Sequence, residues 1–202
     1  LNNSTILAPL NVTVDTVKPT GSIDINSGAA YALLPTVSLN LSAIDPGGAL
    51  ASGIATMSFS TDNSNWTTPE PYTTSISFTL PNGDGAKTVY VKYADNAGNT
   101  KIISNPIILD TKPPSGTITV NNDAVYSQSP DVTLTLTGTD EGSGVDQMQF
   151  TSDWGFNWTD WESFAPTKNL TISMSSSRDG RREVGYRLKD KAGRTAFFLD
   201  AI

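Results

Sequence analysis

At 202 residues, with 37% hydrophobic content and a formal net charge of -7, the chain is long enough for two small cored domains and too acidic for a phosphate-neutralising nucleic-acid surface. Cysteine and histidine are both absent, which excludes a disulfide framework, zinc-thiolate sites and the Ser/His and Cys/His catalytic schemes. The start at Leu1, without a charged segment leading into an apolar run, sets the expectation of a processed or excised product, and no stretch approaches the length of a membrane span.

Residues 5 to 16, TILAPLNVTVDT, read as a strand and a linker, with Ile6, Leu10, Val12 and Val14 as the apolar positions. In the next segment Val37, Leu39 and Leu41 alternate with Ser38, Asn40 and Ser42, the period of a half-buried antiparallel strand. Pro46-Gly47-Gly48, Asn82-Gly83-Asp84-Gly85 and Asn96-Ala97-Gly98-Asn99 supply turn chemistry between runs, and Val89, Val91 and Tyr93 form a further alternating strand. Residues 100 to 111, TKIISNPIILDT, close this segment and lead out of it. Beyond them Val132, Leu134 and Leu136 alternate with threonines, Val184, Tyr186 and Leu188 repeat the pattern, and RTAFFLDAI ends the chain. No convincing capped helix is found.

Sliding the sequence by 95 residues lays DTVKPTGSIDIN (15 to 26) on DTKPPSGTITVN, TVSLNLSAID on DVTLTLTGTD, and DGAKTVYVKYADNAGN on DGRREVGYRLKDKAGR. SGIATMSFSTD (52 to 62) matches SGVDQMQFTSD (143 to 153) after a four-residue insertion in the first copy. Two copies of one strand-rich unit of about 95 residues predict an all-β chain: two tandem immunoglobulin-like β-sandwiches, residues 17–110 and 111–202, preceded by a strand extension over 1–16.

The spellings DTVKPTG and DTKPPSG, the SG-[IV]-x-x-M-x-F run, the Asp followed four or five residues later by Trp, and DNAGN after a Val/Tyr-rich strand resemble the tandem Ig-like repeats of bacterial and archaeal cell-surface proteins. The resemblance spans nearly the whole chain. It implies an extracellular, multidomain setting and a scaffold with no single activity. The second copy departs at Asp190-Lys191-Ala192-Gly193-Arg194, where cations replace two asparagines.

Residues 5 to 16 align without a gap on 100 to 111, whereas RTAFFLDAI matches NTKIISNPI and has no counterpart of Ile108 to Thr111. The extension is therefore expected to be a donor strand. Ile6, Leu10, Val12 and Val14 of one chain would fill an acceptor groove beside Phe197, Phe198, Leu199 and Ile202 of another. Donor and acceptor lie at opposite ends, so the contact propagates head to tail and the partner is the chain itself. The expected function is a structural subunit of an extracellular filament with a role in adhesion. The alternative is an excised segment of a multi-repeat surface adhesin or S-layer protein.

Asn-x-Ser/Thr acceptors at Asn2, Asn3, Asn11, Asn40, Asn65, Asn157 and Asn169 mark candidate N-glycans, which fits a secreted product. No cofactor is expected beyond such glycans, with calcium on Asp140, Glu141, Asp146 and, in the first copy, Asp45 as the minor alternative. Trp154, Trp158 and Trp161 with Phe150 and Phe164 resemble a sugar-stacking platform. Trp66 and Tyr72 hold the places of Trp158 and Phe164 in the other copy, which favours a packing role. All five arginines, Arg178, Arg181, Arg182, Arg187 and Arg194, fall in the last quarter, and some are expected to meet acids on an adjacent domain or subunit. No pair of carboxylates stands out by spacing, and the chain is read as no enzyme.

Overall fold

The computed structural model describes residues 12–153, 155–172 and 180–202. In the first copy of the repeat the strands are β1 (Thr20–Ile25), β2 (Tyr31–Ala32), β3 (Thr36–Ile44), β4 (Ile54–Ser60), β5 (Glu70–Pro71), β6 (Ser75–Thr79), β7 (Gly85–Asp95) and β8 (Thr100–Leu109). In the second they are β9 (Ser115–Val120), β10 (Asp131–Thr139), β11 (Val145–Thr151), β12 (Glu162–Ser163), β13 (Thr167–Thr171), β14 (Glu183–Asp190) and β15 (Thr195–Ala201). A 3-10 turn at Gly48–Leu50 is the only helical element among the described residues.

The strands of the first copy form two sheets, β1-β3-β6 and β2-β8-β7-β4-β5, and those of the second form β13-β10-β9 and β12-β11-β14-β15. Pairing is antiparallel except where Tyr31 and Ala32 run parallel to Ile108 and Leu109. A three-stranded sheet facing a larger one, with sequential strands distributed between them, is the Ig-like sandwich expected from the repeat. By contacts the described residues divide into two compact units. The first holds those up to Gly28 with Thr36–Leu80 and Thr88–Pro106, and the second holds Ala29–Pro35, Pro81–Lys87 and Ile107–Ile202.

Each core follows from period-2 alternation. Strands β3 and β10 share one burial pattern: Val37, Leu39 and Leu41 point inward in the first, Val132, Leu134 and Leu136 in the second. Ile23, Met57, Phe59, Val89 and Val91 complete the first core, and Ile118, Met148, Phe150, Val184 and Leu188 the second. Each such side chain contributes about 1.5–3 kcal/mol on burial.

Each core also holds a buried tyrosine whose hydroxyl donates to a carbonyl of the opposing sheet. Tyr93 reaches Ser22 O at 2.7 Å and Tyr186 reaches Thr137 O at 3.3 Å. Burial pushes both phenols well above their ordinary range, so they remain neutral donors. The glycine that ends each DTxxPxG spelling has a steric reason: a Cβ at Gly21 would run into the carbonyl of Ser42, and one at Gly116 into that of Thr137.

Candidate functional site

At one end of the second unit lies a groove of about 700 Å³, lined among others by Val125, Tyr126, Ile172, Arg181, Ala201 and Ile202. It lies at the place that β2 and the end of β8 hold in the first copy. In the first, β8 runs on to Ile108 and Leu109, which pair with β2, and Ile107 and Leu109 are buried. Tyr126 and Ser127 occupy the β2 place in the second copy without forming a strand, and Val125 and Tyr126 are 75% and 88% exposed. Strand β15 pairs along β14 from Thr195 to Ala201, and Ile202 closes the ladder with two main-chain bonds to Arg182. Ile172, buried in the core, also lines the groove.

The residues expected to form the acceptor divide between two faces of β15. Ile202 lines the groove. Phe198 packs on the core against Tyr186, ring centroids 5.6 Å apart. Phe197 and Leu199 are about half exposed on the other face, where Phe197 meets the edge of Trp158. Of the expected donor residues, Ile6 and Leu10 lie outside the described residues. Val12 and Val14 are 74% and 72% exposed and belong to no strand.

A second constellation recurs in both units. Carboxylate oxygens of Asp15, Asp45 and Asp95 lie within 4.8 Å of one another in the first, and those of Asp110, Asp140 and Asp190 in the second. Each aspartate of one trio stands 95 residues from its counterpart. The positions come from the linker ahead of each sandwich, the end of β3 or β10, and the end of β7 or β14.

Main-chain donors hold one oxygen of each carboxylate in the second unit: Ser143 N on Asp110 Oδ2 (3.0 Å), Gly144 N on Asp140 Oδ1 (2.7 Å) and Arg194 N on Asp190 Oδ1 (2.8 Å). Ser52 N and Gly53 N play the same parts on Asp15 and Asp45. The SG spelling common to both copies has side-chain and backbone causes: the Ser52 and Ser143 hydroxyls accept from Ala97 N and Ala192 N, and Gly53 and Gly144 both have a φ of 83°. Two like charges about 4 Å apart repel by about 4 kcal/mol at an effective dielectric near 20, so a trio of carboxylates is an electrostatic liability. Burial, and then the charges of Asp110 and Asp140, raise the carboxyl of Asp190 above its ordinary value.

Asp45 and Asp140 thus take part in acidic clusters, each in its own unit, while Asp146 is exposed and Glu141 pairs with Lys112 at 3.6 Å. Sequence reading missed Asp15, Asp95, Asp110 and Asp190, although the common offset of 95 residues was a usable signal.

The other singled-out residues have structural roles. Lys92 sits 4.1 Å over the Trp66 ring and Arg187 4.1 Å over Trp158, one cation–π pair at matching places in the two copies. Lys189 covers Trp161 at 4.4 Å, so these rings are occupied by cations, and Trp154 lies outside the described residues. Arg181 pairs with Glu183 of its own unit, and Arg194 donates to the carbonyls of Asp110 and Leu33. Arg178 lies outside the described residues.

Asn40 and Asn169 are exposed on strands, as their alternation requires. The Asn65 and Asn157 amides donate to Asp62 Oδ2 (2.6 Å) and Asp153 Oδ2 (2.5 Å), closing equivalent turns before the tryptophans. Asn2, Asn3 and Asn11 lie outside the described residues.

No protein-family model and no curated protein matches the chain. Solved structures do. The chain is similar to the fibronectin(III)-like modules of Clostridium thermocellum CbhA at 13% identity, over 89% of this chain and 91% of that one, with a TM-score of 0.44. A 1.5-MDa bacterial ice-binding adhesin matches at 14% identity over 93% of this chain and 64% of that one, TM-score 0.49. The tetra-tandem repeat of the extending region of a large adhesion protein matches at 20% identity, 91% and 50% coverage, TM-score 0.30. The chain spans less than two thirds of both adhesin chains.

Proposed function

We propose that the chain is a structural, non-catalytic repeat segment of an extracellular surface protein of the adhesin kind. Its Ig-like modules are each completed at one edge by an apolar strand ending in an aspartate. The observation that carries this reading is the groove of the second unit, which stands where Ile108 and Leu109 pair with β2 in the first copy. The exposed sequons on Asn40 and Asn169 suit the extracellular setting.

A second reading takes the strand from another copy of the chain, giving a head-to-tail filament built by donor-strand complementation. It is favoured by Val12, Val14 and Asp15, which match Ile107, Leu109 and Asp110 at the repeat offset, with both valines exposed.

The test adds a peptide of residues 5–16 to the chain. Completion of the groove raises the melting temperature, because a ligand that binds only the folded state stabilises it by mass action. The same peptide carrying Val12→Asp and Val14→Asp should have no effect. A chain that answers the peptide yet stays monomeric at high concentration supports the repeat-array reading. Regular filaments that residues 15–202 alone cannot form support the filament. No response to the peptide overturns both.

A further inference from the structure

We infer that Asp110, Asp140 and Asp190 form a calcium site in the second unit. The inference is independent of how the strand groove is filled, since none of the three lines it.

The first support is hydrogen-bond accounting. After the main-chain bonds to Ser143, Gly144 and Arg194 are made, Asp110 Oδ1 and Asp190 Oδ2 are buried and have no partner. Their residues are 0% and 1% exposed. A buried carboxylate oxygen without a donor is costly, and two of them in one cluster need either a proton or a cation. The second support is the absence of a side-chain counter-ion. Among the described residues no lysine or arginine nitrogen forms an ion pair with any of the three carboxylates. Arg194 is adjacent, yet its guanidinium is committed to the carbonyls of Asp110 and Leu33.

The third support is the cover over the cluster. Gly142 lies so close that a Cβ there would come within 2.6 Å of Asp110 Oδ1, so a loop without a side chain closes the cluster on that side. The donor set decides the ion. Three carboxylates offer only hard oxygens, and the chain has no histidine or cysteine to attract zinc or copper. Calcium accepts several carboxylates in irregular geometry, whereas magnesium keeps most of its water and uses one or two.

The first unit supplies an internal comparison. There Asn99 occupies the place of Arg194, and its amide donates to Asp95 Oδ2 at 2.9 Å, while Ala97 N and Asn99 N both donate to Asp95 Oδ1. Asp45 Oδ1 is the one buried oxygen of that trio without a partner. The exchange of Asn99 for Arg194 therefore frees an oxygen for a cation in the second unit, and the first trio is the poorer ligand set.

The test is calorimetric titration of calcium into the chelator-treated chain, with thermal melts in chelator, calcium and magnesium. Expected is a saturable calcium site filled in the range typical of extracellular modules, roughly 0.1–1 mM, and a melting temperature raised more by calcium than by equal magnesium. Asp190→Asn and Asp110→Asn should each abolish that site, while Asp95→Asn keeps it. If the two oxygens instead share a proton, calcium produces neither heat nor a melting shift in the unchanged chain, and the inference falls. It falls also if Asp110→Asn and Asp190→Asn both bind as the unchanged chain does. Should either variant fail to fold, the titration of the unchanged chain decides alone.

Discussion

Asp110 and Asp190 are brought together from a linker and the end of β14, and each keeps one buried carboxylate oxygen without a hydrogen-bond partner. The pair therefore opposes folding when no cation is bound. Asp190→Asn should stabilise the chain in chelator by about 1–3 kcal/mol, because it removes one of three like charges from a site of low dielectric. In calcium the same substitution should be destabilising relative to the unchanged chain. Melting curves of both proteins under both conditions check the prediction, and the expected signature is a reversal of their order.

A different pair of aspartates contributes to the acid limb. Asp62 and Asp153 are held below the usual carboxylate range chiefly by the main-chain N–H groups of Asn65 and Asn157, followed by the amides of the same residues. A carboxyl lowered by folding contributes stability that is present above its unfolded value, about 3.9, and lost as pH falls through the folded value. The Asp62→Asn, Asp153→Asn double variant should thus be less stable near neutrality and lose less on going from pH 5 to about pH 2. Urea unfolding across that window measures the slope directly.

The strands were legible because period-2 alternation is a local signal and the two copies confirm one another. Val37, Leu39 and Leu41 and their counterparts Val132, Leu134 and Leu136 are buried as that pattern requires. The aspartate trios were not, because their members come from a linker and two strand ends spaced 30 and 50 residues apart, and no short motif joins them. Phe197 and Leu199 also resisted sequence reading. RTAFFLDAI has three consecutive apolar residues after its alanine, so alternation does not say which of them face the core. Pairing with β14 settles it: Phe198 is inside, and Phe197 and Leu199 are outside.

The glycine closing each linker spelling gives a steric prediction. At Gly116 a Cβ would strike the carbonyl of Thr137 on the paired strand, which is backbone and cannot rotate away. Gly116→Ala should therefore cost about 1–3 kcal/mol by forcing β9 off β10. Ala substitution at Gly193, whose Cβ would meet nothing within 4 Å but whose φ is 89°, should cost about 1 kcal/mol from backbone conformation alone. Denaturant midpoints for the two variants would rank the two mechanisms, with Gly116→Ala the more damaging.

The groove and the outer face of β15 can be separated by mutation. Ile172 is 4% exposed and lies at once in the core cluster and in the wall of the groove, whereas Leu199, 56% exposed, belongs to the opposite face. Ile172→Ala should destabilise the chain by about 2–4 kcal/mol through lost burial and a residual cavity. It should also reduce the melting-temperature gain produced by the peptide of residues 5–16, since part of the apolar wall is gone. Leu199→Ser should change stability by no more than about 0.5 kcal/mol and leave the peptide response intact. Tyr126→Ser completes the set: at 88% exposure it contributes little to the fold, so any loss of peptide response there reports the groove alone. A peptide response that Leu199→Ser removes and Tyr126→Ser preserves would place strand capture on the outer face of β15 instead.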